Sequence, residues 1–478
     1  MKSSATSSHD DLPRQLRGNA ASKRNGLVCC RVVCVLLILL MFLCCVWQIC
    51  AIITHYLDYP VETSVHYEHP SMYAAPAVTV CNQNPFVKSK LSQVHPEMLQ
   101  TLNESQNKST DNDDGGRAGL MEQRRRAADV LRQQLFDARA FQKGTFQANF
   151  SNLGHQLEQL LLACDDSEHA ECKSSDFQRW EHPAYGLCYT YVSADDFRPT
   201  DATFRLQLIV TTQAHEHLPV VNDVNGLRVV IHDVDTEPMP DEHGFTISPG
   251  TQTSVRVRAR RIERVTEPFG YCDPDGDQTS KYPPFWRRVR NAADDGDNEN
   301  ENRYYSLIGC RQRCMAKQQL AKCNCVDARL VTFRQTVDIV DLDSNVDACA
   351  VDSECLGDFK KNNDLCGLET CQANCLETQM QLSVRTSTWP TDETLNAMAK
   401  AWSSRVQNGN AEELRSSVCK LTVQVEQPIA IEVYSEYASM DLHSLLAAIG
   451  AAVVLYCFLA LPCIVCYFRP CCTRWEKQ

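Results

Sequence analysis

The chain has 478 residues, a net charge of −13 and 26 cysteines. Acidity of that size repels anionic polymers, so nucleic acid is set aside as a partner. Ten cysteines fall between Cys272 and Cys375, a density that points to an oxidising compartment, where thiols pair.

Residues 1–31 form a basic tail, with Lys2, Arg14, Arg17, Lys23, Arg24 and Arg31 against Asp10 and Asp11. Val32 to Thr54 then runs for 23 residues without a charge. At about 1.5 Å per residue it reaches about 34 Å, enough to cross a hydrocarbon core of about 30 Å. A cleaved signal peptide has a shorter apolar core and a small-residue cleavage site; neither is present, so an uncleaved spanning helix is expected over 32–54. A second uncharged run, Ser444 to Phe468, predicts a spanning helix over 444–468. It is followed by a basic tail, 469–478, carrying Arg469, Arg474 and Lys477 against Glu476. Basic flanks face the cytosol, so both termini are expected there, with residues 55–443 outside. The tails carry +4 and +2, leaving about −19 on the segment between them, which concentrates cations near its surface. Cys29, Cys30, Cys471 and Cys472 flank the spans on the cytosolic side as candidate palmitoylation sites.

The outer segment opens with an alternating, β-branched stretch, Tyr56 to Phe86, which predicts a strand leaving the membrane. A polar stretch from Asn103 to Gly119 reads as a surface loop. Helical spacing follows over Leu120 to Lys143 and Asn152 to Cys164, the latter with Leu153, Leu157, Leu160 and Leu161 on one face. The sequons at Asn103, Asn107 and Asn149 make those three residues candidate glycan acceptors. From Thr203 to Glu263 the pattern changes to period two, which implies an antiparallel sheet. A helix from Tyr304 to Lys322 places Cys310 and Cys314 on one face, and a last strand, Leu421 to Val433, returns to the membrane. Fifteen cysteines lie in this outer segment, so pairing leaves one over. The Cys310, Cys314, Cys323, Cys325 spacing lacks a CxxC knuckle and a neighbouring His, so structural zinc is set aside. No catalytic motif is found: GxSxG, HExxH and phosphate loops are absent, and His215-Glu-His217 lacks zincin spacing. The chain is therefore read as a non-enzyme without a cofactor or metal. Its fold class is an α+β membrane protein, two spanning helices framing one large disulfide-rich ectodomain.

Four stretches, in order between the two spans, carry a family resemblance: APAVTVCN (75–82), YGLCYTYV (185–192), GLRVVIHDVDTEP with ISPG (226–250), and YYSLIGCRQRCMAKQQLAKCNC (304–325). They resemble the degenerin/epithelial sodium channel family, which includes the acid-sensing and peptide-gated channels; one difference is Ala75 where the family has Phe. The resemblance implies a homo- or heterotrimer of hand-shaped subunits in the plasma membrane. Each would have a palm and β-ball of about 56–81, 190–272 and 415–436, a helical finger of about 82–190 and a thumb of about 300–376. It implies a ligand- or stimulus-gated channel passing sodium ions, opened by an extracellular stimulus that it does not name. It also implies the pairs Cys81 with Cys188, Cys164 with Cys172, Cys272 with Cys375, Cys310 with Cys371, Cys314 with Cys366, Cys323 with Cys355, and Cys325 with Cys349. Cys419 is the remainder, a buried thiol or an intermolecular link.

The second span departs from the family. Alignment on Ile449 and Gly450 places Ala447 and Ala448 at the gate, where Ala448 replaces an acid. It places Phe458, Leu459 and Ala460 where the family has its Gly-x-Ser filter. Bulky apolar groups there offer no ligands to sodium and gate by dewetting. No Gly-x-Ser occurs in 444–468, and the family's cytosolic His-Gly pair is missing from residues 1–31. Pro462 is expected to break the helix just past the filter. The channel reading therefore has an alternative, a non-conducting or regulatory subunit or receptor that keeps the ectodomain without the filter.

Overall fold

In the computed structural model the described residues are 12–94, 96, 153–166, 171–182, 184–193, 204–219, 222–234, 236, 238–273, 307–327, 347–349, 353–361, 366–367, 370–402, 411–427 and 429–468. The chain divides into two units, one of Met1–Thr63, Pro268–Gly270 and Glu436–Gln478, the other of Ser64–Glu267 and Tyr271–Ser435.

The first unit holds two long helices, α1 (Leu12–Leu57) and α9 (Leu442–Phe468). Their apolar stretches, Arg31–Leu57 and Leu442–Phe468, are 27 residues each, with mean hydropathies of 2.9 and 2.5. Each reaches about 40 Å and is long and apolar enough to cross a membrane. The two helices pack along one another, with the Arg31 guanidinium 5.7 Å from the centre of the Tyr467 ring.

The second unit is built on two sheets. Strands β1 (Val61–Glu68), β3 (Leu161–Asp165), β6 (Arg205–Thr211), β9 (Thr251–Glu263), β15 (Val418–Val425) and β16 (Ile431–Ala438) lie in the order β1-β16-β9-β15-β6-β3, and β14 (Leu376–Thr388) is added to β9. β9 is the axis: Val255, Val257 and Ala259 are buried while Arg256 and Arg258 are exposed, the alternation of a sheet with one face on the core. The other sheet runs β4 (Phe177–His182), β5 (Gly186–Tyr191), β2 (Ala77–Asn82), β7 (Leu227–His232), β8 (Phe245–Ile247). Its central strands β2 and β5 are buried at every position, so their apolar and threonine-rich runs fill both faces. One face, with Val80, Tyr189 and Val229, meets Leu206, Val257 and Leu421 of the larger sheet in a common core.

Beyond the sheets, α5 (Leu307–Cys323) carries Cys310, Cys314 and Cys323. They are bonded to Cys371, Cys366 and Cys355, the last on α6 (Glu354–Lys361), with Cα separations of 5.8, 5.9 and 5.9 Å. As α5 advances its partners step back along the chain, a ladder that holds the hairpin shut at three levels. Cys325–Cys349 joins the paired two-residue strands β11 (Cys325–Val326) and β12 (Asp347–Ala348), and Cys272–Cys375 fastens the base beside β10 (Cys272–Asp273) and β13 (Ala373–Asn374). Cys81–Cys188 crosses directly opposed positions of β2 and β5, and Cys164–Cys172 ties the end of β3, making seven bridges. The short helices α2 (Lys88–Val94), α3 (Leu157–Leu160), α4 (Pro240–His243), α7 (Asp392–Ala401) and α8 (Ala411–Ser417), with 3-10 turns at Ser174–Asp176 and Ala214–Glu216, complete the described elements.

Several local expectations are corrected. The helix expected over Asn152 to Cys164 is a single turn, α3, followed by strand β3. Leu162 and Cys164 alternate inward and β3 takes the free edge of β6, so pairing overrides the leucine spacing. The strand expected over Leu421 to Val433 is two strands, one ending at Val425 and the other starting at Ile431; the sequence between them contains a proline, which has no N–H to give a ladder. The antiparallel sheet expected from 203–263 is divided: β7 joins the small sheet, while β6 and β9 are separated by β15 in the large one, with β15 parallel to β9. The expected helix over 120–143 and the sequons lie outside the described residues.

Candidate functional site: the second apolar helix and its approach

Asp441 starts α9. Its side-chain Oδ1 accepts from the Ser444 N–H at 2.8 Å, satisfying one orphan donor of the first turn, and its carbonyl accepts the first regular helical bond from the Leu445 N–H at 2.9 Å. Hydrogen bonding by Ser444 holds the Asp441 carboxyl below its ordinary range, leaving an anion where the helix dipole is positive. From there α9 is continuous to Phe468 and passes through Pro462. This corrects the break expected at Pro462: the proline removes one N–H, from the bond to Phe458 C=O, and the turns on either side carry the helix across.

A half-covered stripe on α9 (Leu445, Ala448, Ala452, Tyr456, Ala460, Cys463) recurs at helical spacing and packs against α1. The opposite side presents Ala447, Gly450, Val454, Phe458 and Leu461. Phe458 is 71% exposed and Leu459 47%. Of the three filter-equivalent positions, then, Phe458 stands away from α1, Leu459 is open, and Ala460 lies on the covered stripe. Of the gate-equivalent pair, Ala447 is exposed and Ala448 half-covered. α9 contains no carboxylate. A Cβ added at Gly450 would meet nothing within 4 Å.

The chain enters and leaves the two helices through a small polar knot. Glu62 on β1 accepts from Ser439 Oγ at 2.7 Å and Tyr437 Oη at 3.0 Å, while the Ser439 N–H donates to Pro60 O at 2.9 Å. The Ser439 hydroxyl first, then that of Tyr437, holds the Glu62 carboxyl down, and Glu62 in turn raises the Tyr437 phenol. Beside it Phe269 stands edge-on to Tyr59 at 5.3 Å and Tyr56 at 6.4 Å; Tyr59 sits at φ 47°, in the sparsely populated left-handed region. The sequence reading missed these residues. An Asp ahead of an apolar run is the ordinary N-cap signal and identifies Asp441. Glu62 and Phe269 carry no such mark, because their partners lie hundreds of residues away in the chain.

The remaining candidates are dispersed. Cys419, on β15, is buried with a free thiol that burial pushes up, so it is held protonated inside the core and away from any intermolecular partner. His215 lies 4.0 Å from Glu216, and burial lowers His217. Among the described residues no group of three or more His, Cys, Asp or Glu is placed to hold a metal.

A family model described as "Amiloride-sensitive sodium channel" matches residues 14–457, ending one residue before Phe458. Epithelial sodium channel subunit alpha of Gallus gallus is 25% identical over 279 residues, 57% of this chain and 40% of that protein. Acid-sensing ion channel 1A of Danio rerio is 27% identical over 289 residues, 57% of this chain and 52% of that protein. The chain spans about half the length of the curated relatives it matches. A solved chain described as a proton-activated chloride channel aligns with 91% of this chain and 96% of its own at TM-score 0.36 and 7% identity, a superposition too loose to bear on fold or function. With two apolar helices, a seven-bridge ectodomain and a family match over most of its length, the chain belongs to the amiloride-sensitive sodium channel family.

Proposed function

We propose that the chain is a subunit of a trimeric, stimulus-gated cation channel of the plasma membrane, permeable to sodium, with both tails cytosolic and 55–443 outside. The outer body would comprise finger (about 82–190), palm (about 56–81, 190–272, 415–436) and thumb (about 300–376). Gly450 is the observation that carries the oligomer. Glycine inside a helix costs about 1 kcal/mol relative to alanine, yet within the chain a methyl group there meets nothing. A helix from another subunit approaching that side of α9 explains its use, since small residues let backbones come close. The names of the relatives support a sodium or acid-sensing channel.

A second reading is a non-conducting or regulatory subunit, favoured by Phe458. The ring stands on the same side as Gly450, where copies brought together would form an apolar constriction without ligands for a dehydrating ion. Voltage clamp of the chain expressed alone and with related subunits, under proton, peptide and pressure challenge, separates the readings. Sodium current from the chain alone supports the first; altered current only on co-expression supports the second; no current and no effect on any partner refutes both.

A further inference from the structure

The two faces of the large sheet differ in character. On β15, Cys419, Leu421, Val423 and Val425 enter the common core, so Lys420, Thr422 and Gln424 lie on the opposite face. The backbone register extends that face to the neighbouring strands: Thr422 stands opposite Ser254 on β9 and Gln207 on β6, and Gln424 opposite Arg256 and Arg205. Strands lie about 4.8 Å apart and alternate residues about 6.8 Å apart along each. Lys420, Arg205 and Arg256 are therefore each one lattice step from Thr422, and both arginines are exposed.

Two properties of this ring point to a missing anion. Thr422 is 4% exposed and its Oγ1 has no hydrogen-bond partner; a buried hydroxyl left unmade bears its full desolvation penalty. The cations around it also lack neutralising partners. Along β9 and just past it, Arg258 pairs with Glu426 at 3.0 Å, Arg260 with Glu432 at 3.3 Å, Arg261 with Glu68 at 2.8 Å and Arg264 with Glu377 at 2.8 Å. Among the described residues neither Arg256 nor Lys420 is in ion-pair contact with a carboxylate. The Lys420 ammonium instead lies 5.7 Å from the centre of the Trp389 ring. Burial first, then the charge of Arg205, holds that ammonium below its ordinary range, against an opposing pull from Asp165. Asp165 stands opposite Gln207, on β3, one strand beyond the ring.

We propose that Thr422, Arg256, Lys420 and Arg205 form a binding site for a small tetrahedral oxyanion of the sulfate or phosphate type. Its oxygens carry enough lone pairs to take the Thr422 hydroxyl hydrogen and a guanidinium fork together, while Lys420 contributes a point charge. One anion thus satisfies the unmade hydroxyl and relieves the repulsion between Lys420 and Arg205. The uncharged Ser254, Gln207 and Gln424 between the cations add donors without a competing carboxylate. The surrounding segment, at about −19, repels chains of charge, so the ring suits a single small anion rather than a polyanion.

The test is thermal unfolding of the full chain in detergent, followed by tryptophan emission, as sodium sulfate replaces sodium chloride at constant ionic strength. General stabilisation by sulfate grows without levelling, whereas occupation of a site saturates. The expected result is a saturable rise in the unfolding midpoint, with the apparent sulfate affinity weakened about tenfold or more in Arg256→Gln and the saturable part absent from Thr422→Val. Valine fills nearly the same space and removes the unmade hydroxyl, so without sulfate that variant should be at least as stable as the unsubstituted chain, which separates lost binding from damage to the fold. Arg258→Gln, which breaks the pair with Glu426 outside the ring, should keep the response. A saturable rise that survives both Arg256→Gln and Thr422→Val, or that is absent from the unsubstituted chain, overturns the proposal.

Discussion

His155 gives the most quantitative prediction. It is 1% exposed; its Nδ1 meets the Gln213 amide oxygen, its Nε2 lies 3.4 Å from Asn84 Nδ2, and its carbonyl accepts from Tyr189 Oη at 2.9 Å. Gln213 reaches it from a backbone at φ 50°. The Gln213 oxygen fixes the ring proton on Nδ1, and Nε2 faces the Asn84 amide nitrogen, whose two hydrogens go to Phe86 O and Glu216 O, so a second ring proton would find no acceptor there. Burial, the largest cause, with a smaller contribution from Lys90, lowers His155 from 6.5 to about 4. The unfolded chain takes up a proton as the pH falls through 6.5, whereas the fold refuses it until about 4. The stability involved is therefore fully present above 6.5 and is lost on acidification toward 4. The interval from 6.5 to about 4, at about 1.4 kcal/mol per pH unit, corresponds to about 3.5 kcal/mol. His155→Gln should remove that dependence, flattening stability against pH by up to about 1.4 kcal/mol per unit between those limits, while losing some stability at neutral pH through imperfect packing. Pulse proteolysis of the full chain in urea at stepped pH measures this. If the variant and the unsubstituted chain lose stability in parallel on acidification, His155 is protonated in the fold and the reasoning fails.

Cys310→Ser and Cys371→Ser should each cost about 2–4 kcal/mol and reduce surface delivery, with the double variant little worse than either; additive losses in surface labelling would show that the two thiols act separately. Phe458→Gly should raise sodium current, and adding Ala460→Ser should contribute little because that position lies on the half-covered side of α9; large sodium-selective current from unsubstituted homomers refutes the apolar constriction. Gly450→Leu should leave the monomer folded but abolish the oligomer, read by native mass in detergent, and an intact oligomer would remove the role given to that side of α9. Glycosidase should increase gel mobility through Asn103, Asn107 and Asn149, and tail epitopes should need permeabilised cells for antibody access; the opposite pair of results inverts the topology.

The membrane class of this protein was legible in its sequence because it depends on quantities summed along the chain: uncharged length, flanking charge, cysteine density. Each is a one-dimensional property, so Val32 to Thr54 and Ser444 to Phe468 announce themselves without a partner. Period-two stretches such as SVRVRARRIE likewise became strands, since alternation requires only that one side be buried. What the tertiary structure decided is everything that depends on a second segment. Leu161 to Asp165 is a strand because β6 offers an edge, against a leucine spacing that reads as helix. Pro462 is spanned because its neighbours hold the helix together. The buried side chains of Thr190, Thr79 and His232 meet at 2.6 and 3.0 Å from three strands, β5, β2 and β7, whose order in the sheet differs from their order in sequence, so no spacing discloses the contact. Burial does the same for His155 and Cys419: local sequence supplies the ionisable group, but the low dielectric that decides its charge is made by residues distant in the chain.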